Sequence, residues 1–280
     1  MTEVLSIYTD DRDPLIALLR SIRLATFIHV DEICANIGSM PWLGMQGANL
    51  AWGKAARNAL VFNRVFQIRH ATVDILQRNT TSEGWLHYTI ARITDRACVT
   101  VHDLGRPGVS RSLLPLNAQW LIIDQSNIGV MTPKFVFGFN SSVPAYSQLD
   151  NPIEKSLWSL NVWQRDDEIA GDSKTRLNRF FVEKPTGTPV IIAFVGAAHF
   201  TYFPNSVVAV DQDVTRRLCI TCRSLFRSEL GEIITYARQG TLLFCAFSPY
   251  FGFALQQPEV REAVVAFCEM MPRSAKSVQQ

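Results

Sequence analysis

The sharpest chemical signal in the chain is the C-x-x-C at Cys219 and Cys222, inside RRLCITCRSLFRSELGEII (216–234). A redox pair of this kind sits where a strand hands over to a helix, so that the helix N-terminus lowers the first thiol's pKa. Here the first cysteine comes after Asp213 and Val214, inside an already periodic segment. Val214, Leu218, Cys222, Leu225, Phe226, Ile233 and Tyr236 or Ala237 share one broad face, with Cys219 at its edge. A buried cysteine behaves as a small hydrophobe. No second C-x-x-C or H-x3–5-H completes a zinc site. The pair is read as packing, and no metal or cofactor is expected.

The other face of the same predicted helix carries Arg216, Arg223, Arg227 and Arg238, within about 60° of one another at 100° per residue. Such a row can clamp phosphates, acidic side chains or anionic lipid heads. These four arginines are therefore the candidate binding residues for an anionic partner. The bland alternative is a solvated face paired to carboxylates such as Glu229 and Glu232. Arg12, Arg20, Arg23 and Arg57 would extend the patch if the fold brought them to it.

The histidines offer few pairings. His102 and Asp103 close the strand ACVTVHD, and neighbours in a strand face opposite ways, so they form no dyad. Asp103 is read as a cap on the GRPG turn. His70 and His87 fall in segments read as alternating strands, and His199 lies among small and aromatic residues. GVSRS (108–112) lacks the second glycine of a nucleophile elbow. No phosphate loop, dinucleotide fingerprint or H-E-x-x-H is present. The acidic clusters DDRD (10–13) and DQD (211–213) read as helix caps, and RDDE (165–168) as an exposed turn. No catalytic residue and no metal ligand is assigned.

The elements that would position these residues follow from periodicity. Asp13 and Pro14 open a helix over LIALLRSIRLATFI, and VDEICANIG and ANLAWGKAARNAL read as further helices, making the first sixty residues helical. The loop SMPWLGMQG between them carries Met40, Trp42, Leu43 and Met45 as a lid or docking surface. From about residue 61 the pattern alternates and is rich in β-branched residues: LVFNRVFQIRHATVDIL, WLHYTIARI, RACVTVHDL, QWLIID, PKFVFGFN, LWSLNVWQ, RFFVEK, PVIIAFVG and FPNSVVAV. Helical periodicity returns after Val210 and is read as continuous to about Gln239. The buried strand TLLFCAF and a helix beginning at Pro258 follow.

The expected fold is thus α+β: a single domain with an antiparallel β-sandwich or barrel core (about 61–210) between helical segments 1–60 and 211–280. The chain has 280 residues, 48% of them hydrophobic, a net charge of +2, and 21 Arg against 6 Lys. It is long enough for a substantial core, and no global field demands nucleic acid. The longest apolar runs, 190–198 and 241–255, are too short to span a membrane. The N-terminus lacks the pattern of a secretory signal, and the scattered cysteines suit reduced thiols, so an intracellular, cytoplasmic location is expected.

The segment VTVHDLG, preceded by FQIRHATVDIL and followed by several strands, resembles the 30K-type movement proteins of plant viruses over about forty residues. That resemblance implies a nucleic-acid-binding, membrane-associated viral protein with Asp103 as its marker. The apolar C-terminal segment departs from that family's polar tail. Taken together, the expectation is a non-enzymatic binding or assembly protein of viral structural or nucleoprotein type. It would self-associate and contact nucleic acid or an acidic protein through its arginines. The alternative is a hydrolase-type enzyme using His102 or His199 with a carboxylate or cysteine.

Overall fold

The computed structural model describes residues 3–22, 25–37, 59–66, 68–78, 83–95, 97, 99–102, 114–139, 148–157 and 178–275. The chain divides into two compact units. The first comprises Met1–Leu113, Phe226–Leu230 and Pro249–Gln280; the second comprises Leu114–Leu225 and Gly231–Ser248.

The first unit is built on a parallel sheet of β1 (Val4–Tyr8), β2 (Ala25–His29), β3 (Leu60–Arg64) and β4 (Val99–Thr100), in the order β2-β1-β3-β4. VLSIY and LVFNR are buried at every position, as expected of inner strands covered on both faces. α1 (Pro14–Leu19) starts with Pro14 behind Asp13, whose carboxylate accepts the Leu15 amide at 3.0 Å. α2 (Val30–Ile37), α3 (His70–Arg78) and α4 (Glu83–Thr94) follow their strands. Leu5, Ile7, Ile28, Val61, Leu86 and Ile90 belong to one apolar core.

The second unit contains α5 (Leu116–Gln125), β5 (Phe135–Phe139), β6 (Pro152–Glu154), β7 (Asn178–Glu183), β8 (Thr188–Val195), β9 (Ala198–Tyr202), α6 (Gln212–Leu225), β10 (Leu230–Arg238) and β11 (Thr241–Ser248). One sheet runs β11-β10-β8-β9 and a smaller one β5-β7-β6. The β5–β7, β6–β7, β8–β9 and β10–β11 pairs are antiparallel. Trp120 of α5, fully buried, donates its indole N–H to the Cys245 carbonyl on β11 at 2.7 Å. It also stacks on Phe180 of β7 at 5.6 Å between centroids. A single aromatic thus ties one helix to both sheets. The chain then returns to the first unit with α7 (Pro258–Ala275).

Antiparallel sheets and flanking helices are present, but the sandwich or barrel is not. The N-terminal segment is not purely helical, because β1 and β2 lie within it. WLHYTIARI belongs to helix α4: its buried Leu86, Thr89, Ile90, Ile93 and Thr94 follow helical spacing. QWLIID lies in α5, where Leu116, Gln119, Trp120 and Ile123 are the buried set. Short β-branched runs fit both periods, and only the partner surface decides. FPNSVVAV forms no strand; β9 ends at Tyr202, before it. The predicted strand LWSLNVWQ beyond its first residue, the loop around Met40–Met45 and the helix ANLAWGKAARNAL apart from its last two residues lie outside the described residues.

Candidate functional site

The predicted helix over 211–239 is in fact two elements. α6 ends at Leu225, Arg227 takes φ +47°, and β10 begins at Leu230. The left-handed residue is where helical geometry stops. Gly231 then fits against Phe247: a Cβ there would lie 2.2 Å from that ring. Arg216 and Arg223 lie on α6, Arg227 in the following turn, and Arg238 at the exposed end of β10. The four therefore share no helical face. Arg216 pairs with Asp213 at 3.2 Å. Asp211 caps α6, accepting the amides of Asp213 at 2.8 Å and Val214 at 3.2 Å.

Cys219 and Cys222 are free and buried in the body of α6. Burial pushes the Cys219 thiol up to about 12 and raises Cys222 as well, opposite to the shift that makes a reactive thiolate. Both side chains fill the apolar side of an amphipathic helix, with Leu218 and Thr215.

A denser cluster stands at the carboxyl edge of the parallel sheet, where β1 and β3 leave side by side. In an open α/β sheet this is the switch point at which ligands bind. Tyr8 ends β1 and is in register with His29 of β2 and Arg64 of β3. Arg64 has no solvent exposure in its side chain and donates Nε to Asp13 Oδ2 at 2.7 Å. Its Nη1 donates to the Pro249 carbonyl and lies 3.2 Å from His102 Nε2; its Nη2 reaches the Tyr250 carbonyl at 3.5 Å. The guanidinium lies over the Phe66 ring at 4.7 Å. Asp13 thus does two jobs, capping α1 with one oxygen and holding Arg64 with the other.

The rest of DDRD is engaged as well. Asp10 pairs with Arg69 at 2.6 Å, and Asp11 with Arg20 at 2.7 Å. Arg20 hydrogen-bonding holds the Asp11 carboxyl below its usual range. His102, across a β-bridge from Ser228, is completely buried; desolvation, aided by Arg64, depresses its pKa well below that of a free imidazole. A neutral ring accepts from Arg64 at Nε2 and carries its proton on Nδ1, which has no hydrogen-bond partner among the described residues. This is a bolted ion-pair network rather than an accessible base. His199 lies half-buried on β9 opposite Phe194. His70 and His87 sit on helices α3 and α4, not on strands. Asp103, GVSRS and RDDE lie outside the described residues.

The second unit holds a buried cation that sequence reasoning passed over. Lys155 follows β6, 3% exposed, with its amide on the Phe180 carbonyl at 2.9 Å. Beside it in sequence Glu154 holds Arg179 through two bonds, at 3.0 and 2.8 Å, and Arg179 lies over Phe181 at 4.6 Å. A lysine is almost never buried without a compensating group.

No protein-family model matches the chain, and no curated protein matches it closely. Solved structures do. Macrocyclase MdnC from Microcystis aeruginosa MRC, bound to its precursor peptide MdnA, superposes with a TM-score of 0.67 at 13% identity, over 96% of this chain and 99% of that one. ATP-grasp ligase PsnB, complexed with a minimal precursor, Mg and ADP, gives 0.65 at 13% identity over 98% of each chain. D-alanine–D-alanine ligase from Bacillus anthracis gives 0.53 at 9% identity over 99% of each. The chain has the fold of ATP-grasp ligases. That fold overturns the reading as a viral, RNA-binding structural protein, and with it the resemblance to plant-virus movement proteins. No helix among the described residues is long and apolar enough to cross a membrane.

Proposed function

We propose that this chain is an enzyme of the ATP-grasp ligase type that acts on a peptide. One observation carries the reading: likeness over nearly the whole of both chains to ligases solved with precursor peptides. The alternative of an enzyme, first framed as a hydrolase, fits this better than a binding protein does. In a ligase, nucleotide cleavage activates a carboxyl group and a nucleophile on the peptide then captures it. Lys155 is the residue we assign to the nucleotide's phosphates, because a nearly buried ammonium attracts an anion strongly where water is scarce.

Among the described residues no three His, Cys, Asp or Glu side chains come together so as to hold a metal ion. No step is derived through such an ion.

The test is ADP release from ATP, with magnesium supplied, in the presence of a library of peptides rich in Asp, Glu, Ser, Thr and Lys. Peptide-stimulated release, with one water lost from the peptide by mass, supports the proposal. Release that no peptide changes, or none at all from a folded chain, opposes it.

A further inference from the structure

The backbone is strained beside the Arg64 network. Phe251 has no solvent exposure and takes φ +63°, a region that a bulky side chain rarely adopts. A glycine follows it, yet the left-handed conformation falls on the phenylalanine and not on Gly252. Such strain persists only where the surroundings over-determine it, and it collects at ligand sites. Arg64 supplies that constraint. Its guanidinium donates to the carbonyls of Pro249 and Tyr250, the two residues just before Phe251.

The residue fixed in this way is Tyr250. Its ring lies 4.8 Å from the Phe66 ring and 5.9 Å from the Arg64 guanidinium, and it is only half-buried. It therefore keeps one part of its surface open at the carboxyl edge of the parallel sheet, the switch point of the fold. Burial raises the phenol above its ordinary pKa, so the ring stays neutral.

The chemistry of this edge decides what fits. Its acids are matched from within: Asp10 by Arg69, Asp11 by Arg20 and Asp13 by Arg64. A charged ligand would have to break one of these pairs. What the edge offers without such a cost is ring surface. Tyr8 and His29 make an edge-on pair at 5.1 Å on the strands next to Arg64, and Phe66 and Tyr250 stand on its other side. Aromatic groups stack on such rings with a preference beyond simple area burial.

We propose that the carboxyl edge of the β1–β4 sheet docks a neutral aromatic side chain of the peptide, which stacks on Tyr250. Arg64 and the left-handed Phe251 are positioning residues that hold this ring in place. The proposal rests on the ligase reading for its peptide.

A random peptide library passed over the immobilised full chain, without nucleotide, tests it by sequencing of the retained peptides. Wild type and Tyr250→Phe are expected to enrich aromatic residues about fivefold over alanine, and Tyr250→Leu less than about twofold. Circular dichroism and the denaturation midpoint verify that each variant is folded. A second arm needs no variant: free N-acetylphenylalaninamide displaces the retained peptides from wild type, and N-acetylalaninamide does not. Wild type without aromatic enrichment overturns the proposal. So does Tyr250→Leu with enrichment like wild type, Tyr250→Phe without it, or displacement by both amides alike. Binding of a non-hydrolysable ATP analogue, measured on the same preparations, separates the two readings. A chain that binds the analogue but enriches no aromatic peptide sinks this proposal alone, and one that enriches such peptides without binding the analogue sinks the ligase reading alone.

Discussion

An arginine without solvent contact must place its N–H groups on acceptors, and Arg64 places them on Asp13, His102 and the carbonyls of Pro249 and Tyr250. Removing one partner of such a buried pair typically costs about 3–5 kcal/mol, because the remaining charge is left unmatched. His102 belongs to this network as a neutral acceptor, and that fixes a pH dependence. Its folded pKa lies well below the unfolded value of about 6.5. Above about pH 6.5 both states are neutral and the stabilisation is complete. As pH falls below that value the unfolded chain takes a proton that the folded chain refuses, and stability declines. The slope from this one group reaches at most about 1.4 kcal/mol per pH unit. Urea unfolding of wild type and His102→Gln between pH 7.5 and 5 checks it. The glutamine retains an acceptor for Arg64 without titrating, so its stability falls less steeply than wild type by up to that amount.

At the scale of elements, legibility in the sequence followed how much each segment depended on its own pattern. Asp13–Pro14 announced α1, Pro258 announced α7, and TLLFCAF, RFFVEK and PVIIAFVG announced β11, β7 and β8. The buried strand VLSIY was missed because a five-residue apolar run carries no period of its own when both faces are covered. The long helix over 211–239 was drawn through Arg227 and Gly231, although a glycine inside a helical pattern costs about 1 kcal/mol and is a warning. Gly231 has a tertiary reason: the Phe247 ring occupies the space a Cβ would need. Gly231→Ala therefore destabilises the second unit by about 1–3 kcal/mol, measured by the denaturation midpoint. Gly231→Ala with Phe247→Leu costs less than the sum of the two single changes, the coupling expected of groups in contact. The candidate site was less legible than the fold. The four arginines were grouped by a helix read as continuous to Gln239, which in fact ends at Leu225, while Arg64 met His102 and Pro249 only through tertiary structure. Lys155 stands out by burial, a property no local pattern encodes.

For the whole molecule, the decisive fact is that the chain superposes on MdnC, PsnB and D-alanine–D-alanine ligase over nearly all of its length at only 9–13% identity. At that identity the likeness is carried by the order of strands and helices rather than by sequence motifs. The β1–β4 parallel sheet and the β11-β10-β8-β9 and β5-β7-β6 sheets record that order. Calorimetric titration of a non-hydrolysable ATP analogue into the full chain, with magnesium in the buffer, tests the account most directly. The account predicts saturable binding at one site per chain, weakened at least tenfold in Lys155→Ala at unchanged secondary structure. A folded chain that gives no binding heat up to millimolar analogue, or a Lys155→Ala variant that binds as tightly as wild type, would contradict it.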